Sequence, residues 1–216
     1  MRLDIISDVV CPWCYIGKTL LDRALERRPD HPFAVEWHPY LLNPTIPREG
    51  LPYADYLRMK FGDPARIAPM LARVQEAAAA AGAEIDYTRI LREPDTTDAH
   101  RLIHWAGLEG RQTPMVSALF RAHWREGRDI GDAATLAELA GDTGLDREMV
   151  RRLLSSDADR AEIRARAEHS RARGVTGVPT FIIAERHVVS GAQPVEVWED
   201  VIAQLSATPD SMDATR

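Results

Sequence analysis

Cysteine is almost missing from this chain: there are two, Cys11 and Cys14, in 216 residues. Two thiols exclude a disulfide-stapled secreted scaffold. They also exclude a zinc or iron–sulfur centre held by four thiolates of one chain. Basic charge is short as well. Lys and Arg number 27 against 33 Asp and Glu, a formal net charge of −6, whereas a protein held to nucleic acid by backbone charge needs a cationic surplus. No run of 18 apolar residues occurs, and Asp4 and Asp8 break the apolar residues at the start. Neither a membrane span nor a signal-peptide core is expected, so the expectation is a cytoplasmic protein with no membrane or nucleic-acid partner. No P-loop, G-x-S-x-G or G-x-G-x-x-G is present. What remains is an ordinary globular composition, 45% hydrophobic and 28% charged, on a chain long enough for one large domain or two small ones.

Leu3–Ser7 is short and apolar and reads as a buried strand. After Pro12, residues Ile16, Leu20, Leu21 and Ala24 share one helix face, and Pro29 and Pro32 stop that helix. Phe33–His38 alternates as a second strand should. The start is thus a β-α-β unit, with a right-handed crossover expected if its strands pair in parallel. From about Tyr53 to Arg173 the pattern is helical. Gln75–Ala81 ends at Gly82, a left-handed cap. Thr96, Thr97 or Asp98 can cap the helix of Ala99, Leu102, Ile103 and Ala106. Pro114 opens another helix, with Val116, Leu119, Phe120 and His123 on its face. Asp132 precedes Leu136 and Leu139, and Asp146 precedes Met149, Val150 and Leu153. Strand character returns at Thr180–Ile183 and His187–Ser190, a hairpin around Ala184-Glu185-Arg186. Val195–Leu205 closes as an amphipathic helix using Val197, Trp198, Val201, Ile202 and Leu205. The polar tail Ser206–Arg216 is expected to be loosely ordered. Strand-bearing ends around one helical block imply a single sheet with a helical insertion.

Chemistry concentrates at Cys11-Pro12-Trp13-Cys14, between the first strand and the first helix. Residues i and i+3 are helix neighbours, which suits the roughly 4.4–6.8 Å between α-carbons that a disulfide requires. Cys11 falls at the helix N-terminus, where unpaired amides and the dipole favour an anion. Pro12 suits the first helical position. An accessible, partly ionised Cys11 with Cys14 one turn behind is the expectation. A depression of about three pKa units would stabilise the reduced form by at most about 4 kcal/mol, on the order of 90 mV toward an oxidant. Two buried structural cysteines are the bland alternative. Half a zinc site is another, but no histidine pair follows at finger spacing. A redox dithiol at a strand-to-helix turn is the favoured reading.

Four segments carry a resemblance: Cys11-Pro12-Trp13-Cys14-Tyr15-Ile16-Gly17, Asp98-Ala99-His100-Arg101-Leu102, Gly174-Val175-Thr176-Gly177-Val178-Pro179-Thr180-Phe181 and Ser190-Gly191-Ala192-Gln193. Together they resemble the DsbA-like thioredoxin-fold proteins, specifically the FrnE subgroup. The resemblance implies an α/β thioredoxin-like fold with a large all-helical insertion. Its parts would be residues 1–48 and 174–206 of the thioredoxin-like domain, an insertion at 49–173, and a flexible tail at 207–216. It implies thiol–disulfide oxidoreductase activity on protein or small-molecule disulfides. Cys11 and Cys14 would be catalytic, with Pro12 and Trp13 tuning them. Val178–Pro179 would be the cis-proline loop, and Val178, Pro179 and Thr180 would contact substrate through strand-like main-chain recognition. No metal or cofactor is implied, though glutathione enters as a substrate. Dimerisation is known in the superfamily, so a homodimer is compatible with it. The related 2-hydroxychromene-2-carboxylate isomerases and kappa-class glutathione transferases carry Ser where this chain has Cys11. Disulfide exchange is therefore favoured, and a glutathione-dependent isomerase or transferase acting on small aromatic or polyketide-like compounds is the alternative. The secreted relatives carry His where this chain has Trp13.

Other candidates read as structure. His100 and His104 stand four apart but lack the H-E-x-x-H glutamate, so they read as cap or packing residues. Arg164, Arg166, Arg171 and Arg173, interleaved with Glu162 and Glu168, read as a solvated helix face. Trp37, Trp105, Trp124 and Trp198 are expected in the core, and His38-Pro39-Tyr40 in the core or at the rim of the site. Glu76 and Glu84 have no apolar pocket to raise a carboxyl pKa, so a glycosidase reading gains nothing.

Overall fold

The computed structural model describes residues 1–207. Strand β1 (Arg2–Ser7) is buried almost throughout, and helix α1 (Pro12–Arg27) leads from it to β2 (Ala34–Pro39). The two strands pair in parallel, with Leu3 opposite Val35 and Ile5 opposite Trp37. Pro12 occupies the first turn of α1, where its missing N–H leaves nothing unpaired. The helix ends at Arg27, as the disfavour of helical backbone before Pro29 requires.

The helical block follows. It holds β3 (Leu51–Pro52), α2 (Tyr53–Phe61), α3 (Pro64–Ala81), β4 (Arg92–Glu93), α4 (Thr97–Leu108) and α5 (Gln112–Phe120). A π-helical turn at Arg121–Arg125 comes next, then α6 (Ala133–Asp142), α7 (Arg147–Leu154) and α8 (Arg160–Ala172). The expected helix ends are present where the chemistry is local. Gly82 is left-handed at the end of α3, and the Asp132 and Asp146 carboxylates accept from the first-turn amides of α6 and α7. The cap of α4 differs from expectation. The Asp95 carboxylate, not Thr96, Thr97 or Asp98, accepts from the Thr97 N–H and hydroxyl, in an Asx turn just ahead of the helix. Met149, expected on the buried face of α7, is half exposed. The antiparallel ribbon β3–β4, with Leu51 opposite Glu93, carries no strand signal in its two-residue strands.

The chain returns to the sheet as β5 (Thr180–Ile183) and β6 (His187–Ser190), then ends in α9 (Val195–Ala207). The four strands lie in the order β2-β1-β5-β6, and β5 runs antiparallel to β1 with Phe181 opposite Ile5. Trp198 and Ile202 of α9 are fully buried, and Trp198 meets Phe181 edge-on at 4.8 Å between ring centres. One apolar core runs from the sheet through α1, α4, α5 and α6. This is the thioredoxin fold with a helical insertion. The tail beyond Ala207 lies outside the described residues.

The arginines of α8 are more than a solvated face. Arg160 bonds Asp95 and Asp98, Arg164 reaches the Pro44 carbonyl, and Arg171 stacks 4.1 Å over the Tyr40 ring while bonding the Leu41 carbonyl. They tie α8 to α4 and to the segment after β2. An i, i+4 charge pattern cannot distinguish such reach from solvation.

Candidate active site

The end of β1 delivers the chain into a tight turn. The Cys11 N–H donates to the Asp8 carbonyl at 3.0 Å, and the Cys11 carbonyl accepts from the Cys14 and Tyr15 amides at 3.1 and 3.2 Å. Cys11 is therefore the N-cap residue of α1, with extended backbone. Cys11 and Cys14 lie 3.5 Å apart, and both are free thiols. The C-terminal half of the fold supplies the facing wall. The Cys11 thiol donates to the Val178 carbonyl at 3.6 Å, and the Val178–Pro179 peptide is cis. The Val178 N–H makes no hydrogen bond among the described residues. The Thr180 hydroxyl donates to the Gly177 carbonyl at 2.7 Å, and Gly191 N–H donates to the Pro179 carbonyl at 2.8 Å. These bonds brace the loop from both sides. Gly17 completes the contact: a Cβ there would stand 3.0 Å from Pro179 Cγ and 3.4 Å from Ala192 Cα. Three segments scattered along the sequence, 8–17, 177–180 and 191–192, thus meet at one point.

The enclosure exceeds expectation. Cys11, expected to be accessible, is 5% exposed, because the Val178 loop and the surrounding core close over it. Cys14 is 1% exposed, and Trp13 projects at 38%. Burial pushes the Cys14 thiol well above its ordinary pKa, and the neighbouring Cys11 sulfur pushes it further. The Ser7 hydroxyl and the Asp8 N–H oppose that rise weakly.

Of the polar cluster beside the thiols only His100 was among the sequence candidates. Asp8 is fully buried; its carboxylate accepts from Leu42 N–H at 2.8 Å and meets His100 Nε2 at 3.3 Å. Glu93 of β4 is also buried and accepts from the Asn43 amide at 2.9 Å. Burial first, then the Asp8 charge, holds its carboxyl well above the usual range. Tyr53, Tyr56 and Tyr87 have their phenols pushed up by burial, and the Cys11 charge adds to that rise at Tyr56 and Tyr87. His123 is fully enclosed in the π-helical turn, its pKa lowered by burial to about 4. Its neighbour Trp124 donates to the Val9 carbonyl at 3.0 Å, tying that turn to the cysteine loop. The single available signal was Asp8, a charge in an otherwise apolar run.

The remaining candidates are structural. His100 bonds Asp8, while His104 Nδ1 meets Arg166 at 3.2 Å, so the two rings do not form a ligand pair. His38 meets Asp4 at 2.7 Å, and Tyr40 and the four expected tryptophans are buried. Asp4, Glu36 and His38 bring three ligand-type atoms within 4.8 Å on the sheet, and Asp4 is already paired with Arg2.

The family description of the DSBA-like thioredoxin domain matches residues 2–203. The chain belongs to that family. Among solved structures, this DSBA-like chain is similar to a probable DsbA oxidoreductase, SCO1869, from Streptomyces coelicolor, at 34% identity and a TM-score of 0.85, over 97% of this chain and 92% of that one. It shares its fold with the cytosolic disulfide reductase DsbM from Pseudomonas aeruginosa, solved with GSH, at 22% identity and a TM-score of 0.71, over 96% of this chain and all of the other. The Bacillus subtilis protein YwbO is 28% identical over 204 residues, 94% of this chain and 96% of that protein. Membership is that of a thiol oxidoreductase family, and a close thiol pair is the equipment such chemistry needs. Among the described residues no helix is long and apolar enough to cross a membrane.

Proposed function

We propose that the protein exchanges disulfides with protein and peptide substrates through Cys11 and Cys14, in the cytoplasm, with glutathione as a small-molecule partner. The Cys11 thiolate attacks a substrate disulfide, forming a mixed disulfide and releasing one substrate thiolate. The Cys14 thiolate then attacks the Cys11 sulfur, releasing the second substrate thiolate and leaving the Cys11–Cys14 disulfide. Two equivalents of glutathione return the pair to thiols and leave as glutathione disulfide. One observation carries this reading: the Cys11 thiol faces the Val178 carbonyl while Cys14 stands 3.5 Å behind it. An extended chain pairing with the free Val178 N–H lays its disulfide beside Cys11 and needs little from its side chains. That the same fold carries GSH in DsbM supports glutathione as the partner. The enclosure of Cys11 restricts access to a disulfide presented along this loop.

The test is reduction of insulin by glutathione. The wild type accelerates it, Cys11→Ser abolishes the acceleration, and Cys14→Ser accumulates a mixed disulfide detectable by mass. Equal rates in wild type and Cys11→Ser overturn the reading. Turnover of small aromatic compounds with glutathione that survives Cys14→Ser points instead to the isomerase or transferase.

A further inference from the structure

Asp4 is a buried charge in the middle of the apolar strand β1, and such a charge has to be paired. Side chains alternate between the two faces of a strand. In the parallel register Asp4 lies opposite Glu36, and Ile6 opposite His38. Asp4, Glu36 and His38 therefore share one face of the sheet, while Leu3, Ile5 and Trp37 take the other. His38 Nε2 lies 2.7 Å from Asp4 Oδ1 and 3.9 Å from Glu36 Oε1. One ligand-type atom from each of the three falls within 4.8 Å of the others. No hydrogen bond joins this set to Cys11 or Cys14 among the described residues.

The set holds more than an ion pair needs. Asp4 and His38 complete each other, yet Glu36 brings a second carboxylate to the same ring nitrogen and makes no hydrogen bond among the described residues. The Asp4 carboxylate is held from behind. Arg2 Nε donates to Oδ2 at 2.9 Å, which leaves Oδ1 to face His38. Arg2 is answered in turn by Glu185 at 3.0 Å, so its charge is shared between two carboxylates. Outer hydrogen bonds of this kind orient the ligands of a metal ion. Zinc stands about 2.0–2.2 Å from imidazole nitrogen and carboxylate oxygen, which sets tetrahedral ligand atoms about 3.3–3.6 Å apart. The Asp4–His38 contact opens and the half-exposed Glu36 side chain closes by about 1 Å or less to meet that spacing. Both strands keep their backbone. Arg2, Asp4 and His38 also line an open cavity of about 350 Å³, through which an ion and its water can enter.

We propose that Asp4 Oδ1, Glu36 Oε1 and His38 Nε2 form a zinc site on the sheet, separate from the dithiol. One imidazole with two carboxylates suits a borderline divalent ion. Calcium takes six to eight oxygen ligands and magnesium a near-octahedral set dominated by oxygen, and neither is supplied here. Three protein ligands with the fourth position facing an open cavity is the pattern of a reactive zinc rather than a closed structural one. The ion takes the place of the direct Asp4–His38 contact and ties β1 to β2 through side chains, so its binding stabilises the fold.

The experiment titrates Zn²⁺ into a Cys11→Ser/Cys14→Ser protein by calorimetry, so that no thiolate competes for the ion, beside a thermal melt. The expected result is one Zn²⁺ per chain. The melting temperature rises by about 5–10 °C at a hundredfold excess over Kd, and Ca²⁺ or Mg²⁺ at the same concentration leaves it in place. Glu36→Gln keeps the parent melting temperature without zinc and binds Zn²⁺ about tenfold more weakly or worse. His38→Gln, whose amide can still face Asp4, weakens binding about a hundredfold or more. Failure of the parent to bind Zn²⁺ overturns the proposal, as does a variant of either kind that binds as tightly as the parent, or a Ca²⁺ shift equal to that of Zn²⁺. None of these outcomes bears on the disulfide-exchange reading, which the insulin assay tests on its own.

Discussion

Replacing Gly17 by alanine tests how tightly α1 sets the loop that faces Cys11. The new Cβ would stand 3.0 Å from Pro179 Cγ and 3.4 Å from Ala192 Cα. Carbon atoms prefer about 3.5–4.0 Å, so the proline ring must retreat by roughly half an ångström. Two stability effects oppose each other. Alanine gains about 1 kcal/mol over glycine inside a helix, and crowding a packed interface costs about 1–3 kcal/mol. The melting temperature therefore stays level or falls by a few degrees, at about 2–4 °C per kcal/mol for a chain of this size. Reactivity moves further, because the Val178 carbonyl faces the Cys11 sulfur at 3.6 Å and travels with Pro179. A misplacement of 1 Å can cost about a hundredfold in rate, so half that costs about tenfold. The assay is mixed-disulfide formation with a peptide disulfide in a Cys14→Ser background, followed by mass, beside a thermal melt. A Gly17→Ala protein that melts 2–4 °C higher, the full helix gain, and reacts at the parent rate refutes the packing argument.

Two further outcomes concern stability. His123 stays neutral in the fold down to about pH 4, against 6.5 for its ordinary imidazole. The unfolded chain therefore binds that proton first, so the stability that neutral His123 contributes is complete above about pH 6.5 and is lost as pH falls from there toward 4. The gap corresponds to about 3 kcal/mol, read as the difference in urea midpoints between wild type and His123→Phe across that range; parallel pH curves for the two would contradict it. Arg101 is fully buried and donates to the Ala158, Leu153 and Ser156 carbonyls at 2.6, 2.7 and 2.9 Å and to Asp98 at 2.8 Å. Arg101→Ala leaves a carboxylate and three carbonyls short of a partner and lowers stability by about 3–5 kcal/mol. Lysine does not restore it, since one ammonium lacks the planar fork that serves separate acceptors. Urea denaturation showing a loss under 1 kcal/mol would remove the buried-staple account.

Local chemistry made much of the fold legible. Leu3–Ser7, the prolines around α1, the carboxylate caps at Asp132 and Asp146, and Gly82 each act within a few residues, so their outcome is written in short windows. The 180–190 hairpin was equally plain, because its alternation is interrupted by one tight turn with Ala184 and Glu185 in left-handed backbone. The ribbon β3–β4 was not, since two residues per strand carry no period. The α8 arginines looked like surface charge because their acceptors are backbone carbonyls up to 130 residues away.

By itself the order of residues determined the dithiol: a C-x-x-C placed between a strand and a proline-started helix puts two sulfurs one turn apart through backbone geometry alone. Only the tertiary structure decided what surrounds it. Pairing β5 against β1 brings Val178 and Pro179 to Cys11 across 167 residues and closes the core over the sulfur. The same packing buries Asp8, Glu93, His100 and His123 together beside the pair. Burial and long-range contact arise when the sheet and the helical block meet, and no short stretch of sequence contains them.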